Sequence, residues 1–228
     1  VSAGRLGPVV TLDGPAGAGK STTAKAVAKR LGLRHLDSGA LYRALTFALL
    51  DARIPEARWP DLAVDELRRL GVSLRGSDGG FQVLVGSRPV DAELRTPEVT
   101  RRVAALAGIP SVRACLLELQ RAAGEEGGLV ADGRDMGTVV FPDADVKVFL
   151  VADLEERARR RLMQEGAPLD PEAVAATAAA IARRDEQDAG RELSPLRKPD
   201  GALEIDTTGL SFSAQVDAIV ERVRRLTV

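Results

Sequence analysis

The sequence predicts a three-layer α/β sandwich on a five-stranded parallel sheet, with an inserted antiparallel flap and a short helical lid. Three observations carry this prediction. The apolar, β-branched run Val9 to Leu12 enters a glycine-rich turn and leaves it into a helical pattern through Ala24, Val27, Ala28 and Leu31. Short strand candidates near His35, Val130, Val148 and Leu203 recur between helical stretches, as parallel strands joined by crossover helices do. A chain of 228 residues can bury a core of that size as one enzyme-sized unit with an insertion.

The turn itself reads Gly14-Pro15-Ala16-Gly17-Ala18-Gly19-Lys20-Ser21-Thr22, which fits G-x-x-x-x-G-K-[ST]. Its glycines let successive backbone N–H groups point at phosphate oxygens, at the positive end of the following helix. Lys20 is long enough to reach the β- and γ-phosphates of a nucleoside triphosphate, and the Ser21 hydroxyl suits Mg²⁺.

Downstream, Arg34 to Asp37 is a short strand, and Ala40 to Leu50 a helix. The lone His35 is expected to serve structure. Pro55, Trp59 and Pro60 break the pattern, and Asp61 to Leu70 is amphipathic, with Leu62, Leu67 and Leu70 on a shared side. Val72 to Leu74, Phe81 to Val85 and Arg88 to Val90 read as short strands of the flap, separated by Gly76 to Gly80 and by Gly86-Ser87. Helices follow at Thr96 to Leu106 and at Ser111 to Ala122, the latter capped by Ser111 or Pro110. Leu129 to Ala131 and Val146 to Val151 are buried-strand runs, and Asp153 caps a helix to about Gln164. The alanine-rich stretch Pro171 to Ala189, the strand Leu203 to Ile205 and the helix Ser211 to Leu226 complete the chain.

A formal net charge of −1 and the lack of a basic block longer than Arg159-Arg160-Arg161 argue against general nucleic-acid binding. The single cysteine, Cys115, excludes an internal disulfide and sits at helical spacing with other apolar positions, so it reads as core. No apolar run reaches membrane-span length and no signal-like segment opens the sequence, from which a cytoplasmic protein without a membrane partner is expected; a monomer is the separate expectation for its assembly. There is no asparagine, so the Asn-Lys-x-Asp guanine-reading motif of a GTP switch is excluded.

Three further stretches carry charge in places that suit phosphate chemistry. Ser38 and Arg43 lie at the start of a helix that follows a strand. Asp132-Gly133-Arg134-Asp135 directly follows a buried strand, where an acid can orient the waters of a metal ion and an arginine can neutralise transferring phosphate. Arg184, Asp188 and Arg191 are spaced i, i+4, i+7, on one expected helix face close to Arg157 and Arg161 across a short turn.

Together these stretches resemble the bacterial cytidylate kinases, within the nucleoside monophosphate kinases. The likeness rests on G-P-A-G-A-G-K-S-T, D-S-G-A-L-Y-R, R-T-P-E-V, P-S-V-R, the long D-G-R-D-M-G-T-V-V-F-P-D-A of Asp132 to Ala144, and D-T-T of Asp206 to Thr208. It covers nearly the whole chain. The resemblance implies a monophosphate-binding part over 38–112, a lid over 157–191, and a core formed by 1–37, 113–156 and 192–228. By the same resemblance Ser38, Arg113 and Asp135 read the base, Arg184 and Asp188 contact the ribose, and Arg43, Arg134 and Arg191 hold the acceptor phosphate. A serine that the family can use near the sugar falls at Ala104.

The implied activity is transfer of the γ-phosphoryl group of Mg-ATP to CMP or dCMP, with Gly14 to Thr22 binding ATP and Ser21 the metal. Lys20, Asp132, Arg134, Arg157, Arg161 and Arg191 are the implied catalytic set, with Arg157 and Arg161 swinging with the lid. The alternative is another small-molecule kinase of the same fold, acting on UMP, AMP or a hydroxyl substrate such as shikimate.

Overall fold

The computed structural model describes residues 5–226. Its elements in chain order are β1 (Val9–Asp13), α1 (Lys20–Leu31), β2 (Arg34–Asp37), α2 (Ser38–Asp51), α3 (Val64–Arg69), β3 (Val72–Ser77), β4 (Gly80–Val85), β5 (Arg88–Pro89), α4 (Pro97–Leu106), α5 (Pro110–Gly124), β6 (Leu129–Asp132), β7 (Val146–Val151), α6 (Leu154–Glu165), α7 (Pro171–Ala189), β8 (Leu203–Asp206) and α8 (Phe212–Arg224).

The strands run in the order β3-β4-β2-β6-β1-β7-β8. The pairs β2–β6, β6–β1, β1–β7 and β7–β8 are all parallel, which is the five-stranded core expected from the sequence. All five residues of β1 are buried because both faces of the sheet are covered. Val10 and Leu12 pack with Val27 of α1 and with Ile219 and Val223 of α8. On the opposite face, Val9 joins Leu41 and Leu45 of α2 and Leu116 of α5.

The antiparallel flap is joined to the core sheet. β3, β4 and β5 are antiparallel among themselves, but β4 also pairs in parallel with β2 through His35 and Gly80, so one eight-stranded sheet results. Gly80 permits this junction. A Cβ there would lie 2.6 Å from the His35 carbonyl oxygen, closer than any side chain tolerates.

Two helix ends differ from expectation. Ile109 is the N-cap of α5, with Pro110 in the first helical position, where its missing N–H costs nothing. α7 ends at Ala189, so Arg191 lies beyond the helix rather than on its face with Arg184 and Asp188. A five-residue π turn, Met136–Val140, occupies a stretch with no readable period.

α6 and α7 form a helical hairpin. Ala158 and Leu162 of α6 pack with Val174 and Ile181 of α7, and the same cluster includes Ala16 from the turn after β1. Among the described residues no single helix is long and apolar enough to cross a membrane.

Candidate active site

The carboxyl ends of β1, β2, β6 and β7 bring most of the sequence-selected residues to one edge of the sheet, the edge where open α/β sheets take their ligands. Residues 14–19 link β1 to α1, and Gly19 caps α1 in a left-handed conformation at φ 86°, which a side chain would strain. Among the described residues no side chain caps α1, so the first-turn N–H groups at Lys20 and Ser21 are left for an anion. Lys20 is almost fully buried, and its ammonium donates to the Pro15 carbonyl at 2.7 Å. Burial holds its pKa well below the usual lysine value, and the neighbouring cations Arg134 and Arg184 push the same way. Phosphate would relieve both effects.

Beside Lys20, the Ser21 hydroxyl donates to Asp132 Oδ2 at 2.5 Å, and His35 Nε2 pairs with Asp132 Oδ1 at 2.7 Å. Two hard oxygens side by side, next to an uncapped helix start, are a donor set that fits Mg²⁺ together with phosphate and water. Asp13, wholly buried at the end of β1, accepts the N–H groups of Met136 at 2.8 Å and Gly137 at 2.7 Å. Burial pushes its pKa up to about 7 against the pull of those two donors. Through these bonds β1 fixes the π turn and the loop Gly133–Asp135 just before it.

Arg113 of α5 ion-pairs with Asp135 and donates to the Ala107 carbonyl at 3.1 Å. Its guanidinium lies 5.7 Å from the centre of the Tyr42 ring. Burial raises the Asp135 carboxyl pKa, while Arg113 opposes the rise. Ser38 is buried against Gly133, two residues before Asp135. Arg43 donates to the Leu94 carbonyl at 3.1 Å and to Thr100 Oγ1 at 3.0 Å, tethering α2 to α4.

Asp188, 1% exposed, receives Arg134 Nε at 2.8 Å on one oxygen and Arg191 on the other. Arg184, four residues earlier, has a buried Nε with no hydrogen-bond partner among the described residues. Burial, with Arg134, Arg43 and Arg161 nearby, pulls its pKa down to about 10. The cluster is short of negative charge, so the arrangement favours anionic ligands.

Arg157 is 8% exposed, ion-pairs with Asp185, and donates to the carbonyls of Ala16 and Ala152 at 3.0 Å each. It is buried because the turn after β1 packs against it. Arg161 is half-exposed and paired with Glu165 at 2.6 Å.

The family model described as cytidylate kinase matches residues 10–225. This chain belongs to the cytidylate kinase family. A cytidylate kinase of Geobacter sulfurreducens is 44% identical over 226 residues, covering 98% of this chain and 95% of that protein. A bifunctional pantoate ligase/cytidylate kinase of Synechococcus sp. strain CC9605 is 47% identical over 222 residues, covering 95% of this chain but only 45% of that longer protein. A gluconokinase structure from Sinorhizobium meliloti aligns with TM-score 0.51 at 15% identity, over 97% of this chain and 94% of that one, which shows the shared fold alone. As a cytidylate kinase family member the chain is a nucleoside monophosphate kinase, a phosphotransferase.

Asp13, His35, Tyr42 and Asp185 lie beside the sequence-selected residues although the sequence does not single them out as site residues. Asp185 has a readable signal: Val174, Ala178, Ile181, Asp185 and Asp188 continue one inward stripe of α7, so an acid follows apolar residues on a buried face. The others have none, because their partners are distant in sequence.

Proposed function

We propose that this chain transfers the γ-phosphoryl group of Mg-ATP to CMP or dCMP, giving ADP and CDP or dCDP. The observation that carries the reading is the buried Arg113–Asp135 pair beside Ser38, close to Arg134, Arg184 and Arg191, three cations that share the carboxylate of Asp188. Cytosine offers amino hydrogens at N4 and acceptors at N3 and O2. A carboxylate and a hydroxyl can receive the former while a guanidinium donates to the latter. Uracil reverses the pattern, so each mismatched buried group costs about 1–3 kcal/mol.

The acceptor phosphate is already an anion and needs no strong base. The barrier lies in holding two anions in line while charge redistributes. Residues 14–22 cradle the donor phosphates and Lys20 neutralises them. Ser21 would hold Mg²⁺, with Asp132 orienting its water, and the bound ion would supply charge neutralisation to the donor phosphates. Arg43, Arg134 and Arg191 clamp the acceptor phosphate, Arg184 and Asp188 the ribose, and Arg157 and Arg161 act from the lid. In this reading 38–112 binds the monophosphate, 157–191 is the lid, and 1–37, 113–156 and 192–228 form the core. A single chain supplies donor loop, acceptor cradle and lid, which supports a monomeric enzyme, and its metabolite substrates support a cytoplasmic one.

The test is ADP production from Mg-ATP with CMP, dCMP, UMP, AMP and shikimate offered separately. CMP and dCMP should dominate. Equal turnover of UMP or AMP would leave the donor site standing and remove the base-reading assignment.

A further inference from the structure

The backbone of Ala16 is gripped from both sides. Its N–H donates to Asp185 Oδ1 at 2.9 Å, and its carbonyl accepts from Arg157 Nη1 at 3.0 Å. The same Arg157 nitrogen ion-pairs with Asp185 Oδ2, so Asp185, Arg157 and one residue of the phosphate loop close a ring. The ring is tight as well as polar. Asp185 and Arg157 side chains are 19% and 10% exposed, and a Cβ added at Gly17 would sit 3.0 Å from Arg157 Cβ. α6, α7 and the loop therefore meet at one carboxylate, 169 residues along the chain from the amide it holds.

We propose that Asp185 is a positioning residue: it sets the Ala16 backbone of the phosphate loop and holds the Arg157 guanidinium at the loop's rim. The proposal rests on the kinase reading above and extends it to a residue outside the substrate contacts. Two features favour a role in turnover over simple cohesion. The apolar stripe of Val174 and Ile181 already joins α7 to α6, so the hairpin does not need an ion pair to pack. The carboxylate also spans two parts that must keep register during transfer, the donor loop and a lid arginine. An arginine aimed at a transferring phosphoryl group loses about 10²-fold in rate for a displacement of ~1 Å.

The test measures kcat, the KM for CMP and ATP affinity for Asp185→Asn in the wild-type and Arg157→Met backgrounds, with thermal melting alongside. The isosteric amide keeps one acceptor for Ala16 N–H but loses the charge that holds Arg157. We expect kcat to fall about 10²-fold, the KM for CMP to stay within about twofold, and Asp185→Glu to recover part of the loss. In the Arg157→Met background the same substitution should add less than about threefold, because its route of action is gone. An undiminished kcat, or an equal fall in both backgrounds, overturns the proposal. Wild-type kcat for Arg157→Met overturns it together with the catalytic reading of Arg157, whereas loss in Arg157→Met without loss in Asp185→Asn overturns it alone. Should Asp185→Asn fail to fold, Asp185→Glu carries the same two-background comparison: the proposal then requires a fall in kcat that Arg157→Met removes.

Discussion

Arg113, in the first turn of α5, ion-pairs with Asp135, in the loop after β6, and both side chains are nearly buried. Each therefore depends on the other. Removing Arg113 leaves a carboxylate whose burial already raises its pKa without its main opposing charge. A buried charge stripped of its partner costs about 3–5 kcal/mol. Arg113→Met and Asp135→Asn should each abolish the preference for CMP over UMP, and the double variant should melt higher than the sum of the two losses predicts. Additive melting losses, or an intact preference in either single variant, would count against the pairing as the base reader.

Asp188 presents a second dependence, because one carboxylate serves Arg134 and Arg191 together. Asp188→Ala leaves two partly buried guanidinium groups facing each other and the already crowded Arg184. The KM for CMP should rise by about 10²-fold, in the range that loss of a buried charged hydrogen bond predicts. Added monovalent salt should restore some stability to this variant while the wild type changes little. Steady-state kinetics and melting curves at two ionic strengths decide it.

What the sequence makes readable follows from where each interaction is closed. β1, β6 and β7 can be placed because strands of the sheet interior leave short apolar runs, and α7 because its inward stripe repeats at helical spacing. The loop after β6 can be recognised as chemical from its charges, but not its shape. The Met136–Val140 turn is held by the Asp13 carboxylate, 123 residues away from the Met136 amide, and no local pattern records that bond. The same reason hides the partner of Arg157. Its position on α6 can be inferred, whereas its burial depends on Asp185 and Ala16, which only the folded chain brings near. The junction of β4 with β2 also turns on one backbone approach at Gly80.

Asp132 holds Ser21 with one oxygen and His35 with the other, so its orientation is fixed from both ends. Asp132→Asn keeps the shape but removes the charge, and it places an amide donor where one of the two partners needs an acceptor. The Mg²⁺ concentration for half-maximal activity should rise about 10–100-fold, the scale on which partners of metal ligands act. Chelation of Mg²⁺ should stop ADP production in the wild type. A metal-titration curve unchanged by the substitution would remove Asp132 from the metal's surroundings.

Asp13 sets a pH dependence with a definite sign. Its folded-state pKa of about 7 lies above the ordinary aspartate value of 3.8, so the folded chain holds a proton that the unfolded chain releases. Stability is then greatest with Asp13 protonated and falls as pH rises from about 4 to about 7. Across that whole interval the loss is on the order of 4 kcal/mol. Asp13→Asn cannot ionise, and its side-chain carbonyl can still accept one of the two N–H groups at Met136 and Gly137. Chemical denaturation of both proteins at a series of pH values between about 4 and about 7 should give a stability difference that moves steadily in favour of the asparagine variant as pH increases. A constant difference across that range would mean that Asp13 stays ionised throughout. The two backbone donors would then outweigh burial, and the loop before Met136 would be clamped by a charge at every pH at which the enzyme works.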